Sequence, residues 1–219
     1  MRHILCCSAK WIPLDQNTGD GIALLFVLSI FPVHCFEKEG TLSKLHVTQI
    51  AGYLNNKVKG LVNVDDYDRH SDPAQAHKAF LTRALAALSV SHLTEVPLRD
   101  LCSSITDGSK DGGIDLIYFD GKDRTLYLVQ TKWHDDGHGS MEQGDVLKFI
   151  EGVRKVLDND IEQLNDRIKA RKLDIERALF DANAKFVLVL AHTGCYDPPY
   201  SSLFVPSYSG VRQRESPTL

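Results

Sequence analysis

The 219-residue sequence contains no C-x-x-C pair, no long apolar run and no excess of positive charge. Its five cysteines (Cys6, Cys7, Cys35, Cys102 and Cys195) are scattered and odd in number. A disulfide scaffold needs many cysteines in a short chain, and a structural zinc site needs closely spaced ligand pairs. Neither pattern is present, and a reduced, cytoplasmic setting is expected. The main apolar stretch, Ile22 to Val33, spans twelve residues, against about 20 for a membrane-spanning helix. Asp15 and Asp20 precede it where a signal peptide would carry basic residues. The phosphate-cradling G-x-x-x-x-G-K-[ST] loop, the G-x-S-x-G elbow and the G-x-G-x-x-G fingerprint are all missing, which removes the NTPase, elbow-hydrolase and dinucleotide readings. Twenty-five Lys and Arg against 29 Asp and Glu give a formal charge of -4. A broad basic surface for nucleic acid is thereby excluded, and any such contact must be local.

What is present is ordinary globular composition, 43% hydrophobic and 25% charged, in an amount that suits one domain with appendages. From Thr41 the patterning is orderly. Val47, Ile50, Ala51, Leu54 and Val58 recur at helical spacing, with Gly60 as a stop. Asp72 followed by Pro73 reads as a helix start, because a carboxylate caps the first turn and proline lacks an N–H that the turn would leave unpaired. Phe80, Leu81, Ala84, Leu85 and Leu88 line that helix. Leu98 to Ile105 reads as a further short helical segment. Ser140 with Gln143 forms a capping-box pattern ahead of a helix carrying Val146, Phe149, Ile150, Val153 and Leu157. Another helix is predicted from Ile161 to Phe180, and Phe186 to Ala191 has the continuous apolar run of a strand buried on both faces.

The chemistry is concentrated in a hairpin. Ile114 to Phe119 and Leu126 to Trp133 are strand-like, and Asp120-Gly-Lys-Asp123 between them is turn chemistry. A turn centred between Lys122 and Asp123 sets Asp115 opposite Gln130. Side chains alternate along a strand, so Gln130 and Lys132 share one face. A carboxylate, an amide carbonyl and an ammonium at positions where apolar residues would normally sit describe a Mg²⁺ site with a neighbouring cation. Trp133 falls on the opposite face.

Two other metal patterns compete. Asp107, Ser109, Asp111 and Gly112 fit the start of an EF-hand loop, but Tyr118 stands where the bidentate Glu belongs. His134, Asp135, Asp136 and His138 could ligate zinc on a helix, yet Gly137 and Gly139 favour a loop. Lys169, Arg171 and Lys172 are the concentrated basic residues and the candidates for phosphate contact, although Asp166, Asp174 and Glu176 beside them also fit a balanced exposed face.

The D…Q-x-K arrangement resembles the PD-(D/E)XK nuclease superfamily. The string Ile105-Thr-Asp-Gly-Ser-Lys-Asp-Gly-Gly-Ile-Asp-Leu-Ile-Tyr-Phe119, followed by Leu126-Tyr-Leu-Val-Gln-Thr-Lys-Trp133, is similar to the nuclease-like N-terminal region of the abortive-infection phage-resistance (AIPR) family. The similarity runs from about Phe80 to Gly194. It implies an α/β fold with a restriction-endonuclease-like core, a small mixed sheet flanked by helices. It also implies a Mg²⁺- or Mn²⁺-dependent endonuclease of anti-phage defence, acting on nucleic acid, DNA ahead of RNA, with no membrane role. Asp115, Gln130 and Lys132 would be the catalytic set, with Asp115 and Gln130 on the metal. Gln130 stands where many members carry an acid, and the helix from Ala74 to Val90 lacks the further acid often found before the hairpin. The alternative is a catalytically inactive nucleic-acid- or partner-binding module on the same fold. The expected organisation is a leader outside the core at 1–40, the nuclease-like domain at 41–195, and a tail or truncation end at 196–219. On this reading a chain beginning at Glu39 stays soluble, unless Leu24 to Phe31 pairs as an extra strand on the sheet edge.

Overall fold

A computed structural model describes residues 6–13, 22–29, 44–67 and 72–194, the first two ranges as backbone only. The tail at 196–219 lies outside the described residues. Helix α1 (Lys44–Val58) buries Val47, Ile50, Leu54 and Val58, the stripe read from the sequence. Helix α2 (Pro73–Leu93) starts as the Asp-Pro pair requires, with the Asp72 carboxylate accepting from Ala74 N at 3.0 Å. Helix α3 (Leu98–Leu101) runs into a 3-10 turn at Cys102–Ser104. Among the described residues, no helix is long and apolar enough to cross a membrane.

The sheet contains β1 (Cys6–Pro13), β2 (Ile22–Ser29), β3 (Leu116–Asp120), β4 (Thr125–Lys132) and β5 (Lys185–His192), in the order β1-β2-β5-β4-β3. It is mixed: β1 with β2 and β3 with β4 are antiparallel, whereas β5 lies parallel to both β2 and β4. Leu116 faces Val129 and Asp120 faces Thr125, the register that the predicted turn dictates. Ahead of β3, Ile105 makes a single antiparallel bridge to Leu116.

Two cores lie on the two faces of β3, β4 and β5. Leu116, Tyr127, Val129, Val187, Val189 and Ala191 pack with α1, α2 and α3, and Trp133 lies with them, away from Gln130 and Lys132. The alternate residues Ile117, Leu126, Leu128, Leu188 and Leu190 pack under α4 (Gln143–Leu157), α5 (Asp166–Lys169) and α6 (Lys172–Leu179). β4 and β5 are thus covered on both faces, which is why they read as apolar runs.

Three expectations change. The helix expected from Ile161 to Phe180 is two short helices after a turn. Asn165 breaks it, because its side-chain oxygen accepts from Ile168 N at 2.9 Å and so starts a new helix inside the span. The Ser140–Gln143 capping box does not form. Met141 is instead drawn into the core, and α4 starts at Gln143 with Glu142 as its uncapped first neighbour. Finally, within the expected leader at 1–40, residues 6–13 and 22–29 do not stand apart from the fold. β2 pairs residue by residue with β5 from Ala23–Phe186 to Ser29–His192, and β1 pairs along the other side of β2. The apolar run is the pattern of a strand in the sheet interior, where both backbone edges are paired.

The expected behaviour of a chain beginning at Glu39 therefore reverses. Without β1 and β2, the edge of β5 is left as a row of unpaired N–H and C=O groups on an apolar strand, a template for intermolecular pairing. Such a chain should elute as aggregate in size-exclusion chromatography under conditions where the full chain elutes as a discrete species.

A candidate metal centre

Asp115 sits one residue before β3, where five backbone and side-chain connections fix it. Its N–H donates to Val129 O (2.7 Å), and its carbonyl accepts from Thr106 N (2.8 Å) and Asp107 N (3.1 Å). Its Oδ2 accepts from Thr131 N and lies the same 2.6 Å from the Thr131 hydroxyl. The chain between Asp107 and Asp115 turns back on itself, with positive φ at Lys110, Gly112 and Gly113. Asp111 closes that turn by accepting from Gly113 N (2.7 Å) and Gly108 N (3.2 Å). The result brings three carboxylates together. Asp107, Asp111 and Asp115 each offer an oxygen within 4.8 Å of the others, the one such convergence of three or more acid, His or Cys side chains among the described residues. Asp111 and Asp115 are buried.

Two cations answer this charge. Arg83, fully buried on α2, donates from Nε to Asp107 Oδ2 at 2.7 Å and forks onto both oxygens of Asp66 at 2.6 and 2.7 Å. The hydrogen bond from Arg83 holds the Asp66 carboxyl down at about 2. From the opposite layer, Lys148 on α4 donates to Asp111 Oδ1 at 2.7 Å. Among the described residues, Asp115 has hydrogen bonds but no salt-bridge partner. Burial, and then the neighbouring charge of Asp107, push its carboxyl well above the usual range. Burial also raises Asp107, against the pull of Arg83.

Gln130, on β4 between Val129 and Thr131, is 9% exposed, and its Oε1 is buried with no hydrogen-bond partner. A Cβ added to Gly113, whose N–H holds Asp111, would come within 3.2 Å of that oxygen. An orphaned buried acceptor carries a cost of ~1–3 kcal/mol, and this one faces the acidic loop. The donor set is all oxygen, three carboxylates and one amide carbonyl, which suits a hard divalent cation of the Mg²⁺ or Mn²⁺ type and not zinc.

The sequence-derived residues separate here. Asp115 and Gln130 join the cluster. Lys132 extends toward α4, where its Nζ is held by Asp145 Oδ2 at 2.7 Å. Lys169 pairs with Asp166 (3.5 Å), Arg171 with Asp174 (3.7 Å) and with Ser103 O, and Lys172 with Glu162 (3.7 Å). The cation of that region that reaches the acids is Arg167, which donates to Asp107 O and lies 3.4 Å from Asp66 Oδ1. Sequence reasoning tested Asp107 and Asp111 only as an EF-hand start. The usable signal was their four-residue interval up to Asp115, which a loop returning on itself converts into proximity. The acid sought on the helix before the hairpin is replaced by an arginine, with the acids coming from the loop. His134, Asp135, Asp136 and His138 form no such convergence.

α4 can approach this loop because residue 152 has no side chain. A Cβ there would overlap the carbonyl oxygen of Gly112, and one at Gly113 would lie 2.9 Å from Phe149 N. Gly152→Ala should therefore push α4 off the loop and lower the thermal transition, by about 1–3 kcal/mol of stability as for other overpacked sites. It should also weaken binding of Mn²⁺, measured by calorimetry, although residue 152 contributes no ligand atom.

No protein-family model matches the chain, and no curated protein or solved structure matches it. What the site does follows from its donors and their partners.

Proposed function

We propose that this chain is a metal-dependent nuclease with a restriction-endonuclease-like core, hydrolysing phosphodiester bonds in anti-phage defence, with DNA ahead of RNA as substrate. The observation that carries this reading is the convergence of Asp107, Asp111 and Asp115 beside the orphaned Oε1 of Gln130. These oxygens would hold Mg²⁺ or Mn²⁺, which when bound polarises a phosphoryl oxygen and acidifies a coordinated water. The protein's own part is to fix the donors. Thr131 orients Asp115, the Gly108 and Gly113 amides orient Asp111, and Arg83 orients Asp107. Lys132 and Asp145 form a charged pair at the end of β4, on the face that carries Gln130. The defence setting and the nuclease class rest on the resemblance of the hairpin to the AIPR and PD-(D/E)XK families.

A second reading, an inactive nucleic-acid- or partner-binding module, is favoured by one feature. Arg83 and Lys148 already neutralise two of the three acids, and Lys132 is engaged by Asp145. Metal binding separates the two, since a live centre must take up a divalent cation and a module need not.

The test is cleavage of single- and double-stranded DNA and RNA with and without Mg²⁺ or Mn²⁺. Asp115→Ala should abolish cleavage while shifting stability by only about 1 kcal/mol, because relief of a buried carboxylate offsets the lost hydrogen bonds. Wild-type protein without metal-dependent cleavage of any of these substrates would sink the nuclease reading. Gln130→Glu should bind Mg²⁺ about tenfold more tightly by calorimetry, the added charge replacing a neutral carbonyl. Unchanged affinity would remove Gln130 from the ligand set.

A further inference from the structure

The acidic cluster is held by two cations that differ in freedom. Arg83 has no exposed side-chain surface and is committed to Asp66 and Asp107 together. It cannot leave without stranding a buried charge, which is strongly unfavourable. The Lys148 side chain is 58% exposed, and its salt bridge to Asp111 is made from the solvent side of α4. The lysine end of the pair is screened by solvent, while its Asp111 partner is 7% exposed. Asp111 is nevertheless the acid a metal would need, since its oxygen is one of the three that converge.

The second lysine of this face behaves differently. Lys132 Nζ is 2.7 Å from Asp145, one helical turn before Lys148 on α4. Residues three apart on a helix share a face, so α4 presents an acid that holds the hairpin lysine and a lysine that holds the loop acid. The ammonium bonded to the cluster is thus the one from α4.

Resting on the metal-centre reading, we propose that Lys148 is the phosphate-contacting lysine of this site, neutralising Asp111 until a divalent cation takes that carboxylate and then turning to a phosphate oxygen of the substrate. The exchange follows from charge and reach. A divalent ion on the three carboxylates makes the ammonium at Asp111 surplus and repels it. A long side chain anchored on α4 and open to solvent can swing over the cluster without disturbing the fold. An ammonium beside a metal-bound phosphodiester stabilises the negative charge that grows on its oxygens during attack. Lys148 keeps its proton throughout, and no bond is made or broken in the exchange.

The experiment compares full-length wild type, Lys148→Met and Lys148→Arg. Mn²⁺ binding is read by calorimetry, and binding of a duplex DNA oligonucleotide is read by fluorescence anisotropy at saturating Mn²⁺, on the Asp115-intact protein before cleavage proceeds. Removing the competing ammonium should tighten Mn²⁺ about tenfold in Lys148→Met, while weakening the oligonucleotide about tenfold. Lys148→Arg should restore both toward wild type. The exposure of the side chain keeps the methionine variant folded, which its thermal transition verifies independently. Mn²⁺ binding by wild type with equal or weaker affinity in Lys148→Met would overturn the proposal and leave the metal centre standing. Tighter metal with undiminished oligonucleotide affinity would also overturn it, by removing the phosphate role. If neither protein bound Mn²⁺, the metal centre itself and this proposal would fall together. Metal uptake by Lys148→Met alone would show that wild type makes no such exchange and would overturn the proposal.

Discussion

The double engagement of Asp115 by Thr131 is the interaction on which the rest of the site depends. One carboxylate oxygen receives both the backbone N–H and the hydroxyl contact of the same residue at 2.6 Å. The backbone of Asp115 at the same time joins β4 through Val129 and the Ile105–Asp107 segment through its carbonyl. A single residue therefore ties loop, edge strand and central strand. The neighbouring acids can be drawn within 4.8 Å because the loop leaving Asp107 must return to this anchor. A buried carboxylate of this kind is tolerated only where its oxygen is well bonded, and the strand end supplies that bonding without a cation.

The surrounding charges divide by layer. The α2 side contributes Arg83, immobile and shared between Asp66 and Asp107, and the α4 side contributes Lys148, open to solvent. One acid is thereby held permanently and one reversibly, while Asp115 meets only hydrogen bonds. This asymmetry distinguishes the cluster from a uniform acidic patch, because one of its acids is paired with a side chain open to solvent. Gln130 fits the same scheme. A fourth carboxylate in this pocket would add repulsion that two cations cannot balance, whereas an amide carbonyl adds an acceptor at no charge.

Much of this was legible in the sequence, for local reasons. Asp72-Pro73 marked the start of α2, the stripe from Val47 to Val58 marked α1, and the turn at Asp120 to Asp123 fixed the β3–β4 register from Leu116–Val129 to Asp120–Thr125. What failed involved competition between distant segments. Ser140 and Gln143 have the pattern of a capping box, but burial of Met141 decided where α4 begins. Residues 22–29 lack a periodicity that distinguishes a leader from a strand, and only the vacant edge of β5 gave that run a partner.

The sequence by itself determined the hairpin, its register and the face shared by Gln130 and Lys132. These follow from a two-residue pleat repeat acting between adjacent segments. Tertiary structure alone decided that Asp107 and Asp111 join Asp115, that Lys132 is taken by Asp145, and that Lys148 reaches the acids. The last two depend on α4 lying directly on the loop, and that approach depends on glycine meeting glycine at residues 112 and 152. No spacing rule connects positions 111 and 148. Their contact exists because a helix crossing over β4 is pressed by its apolar face, Val146, Phe149 and Val153, onto the sheet beside them.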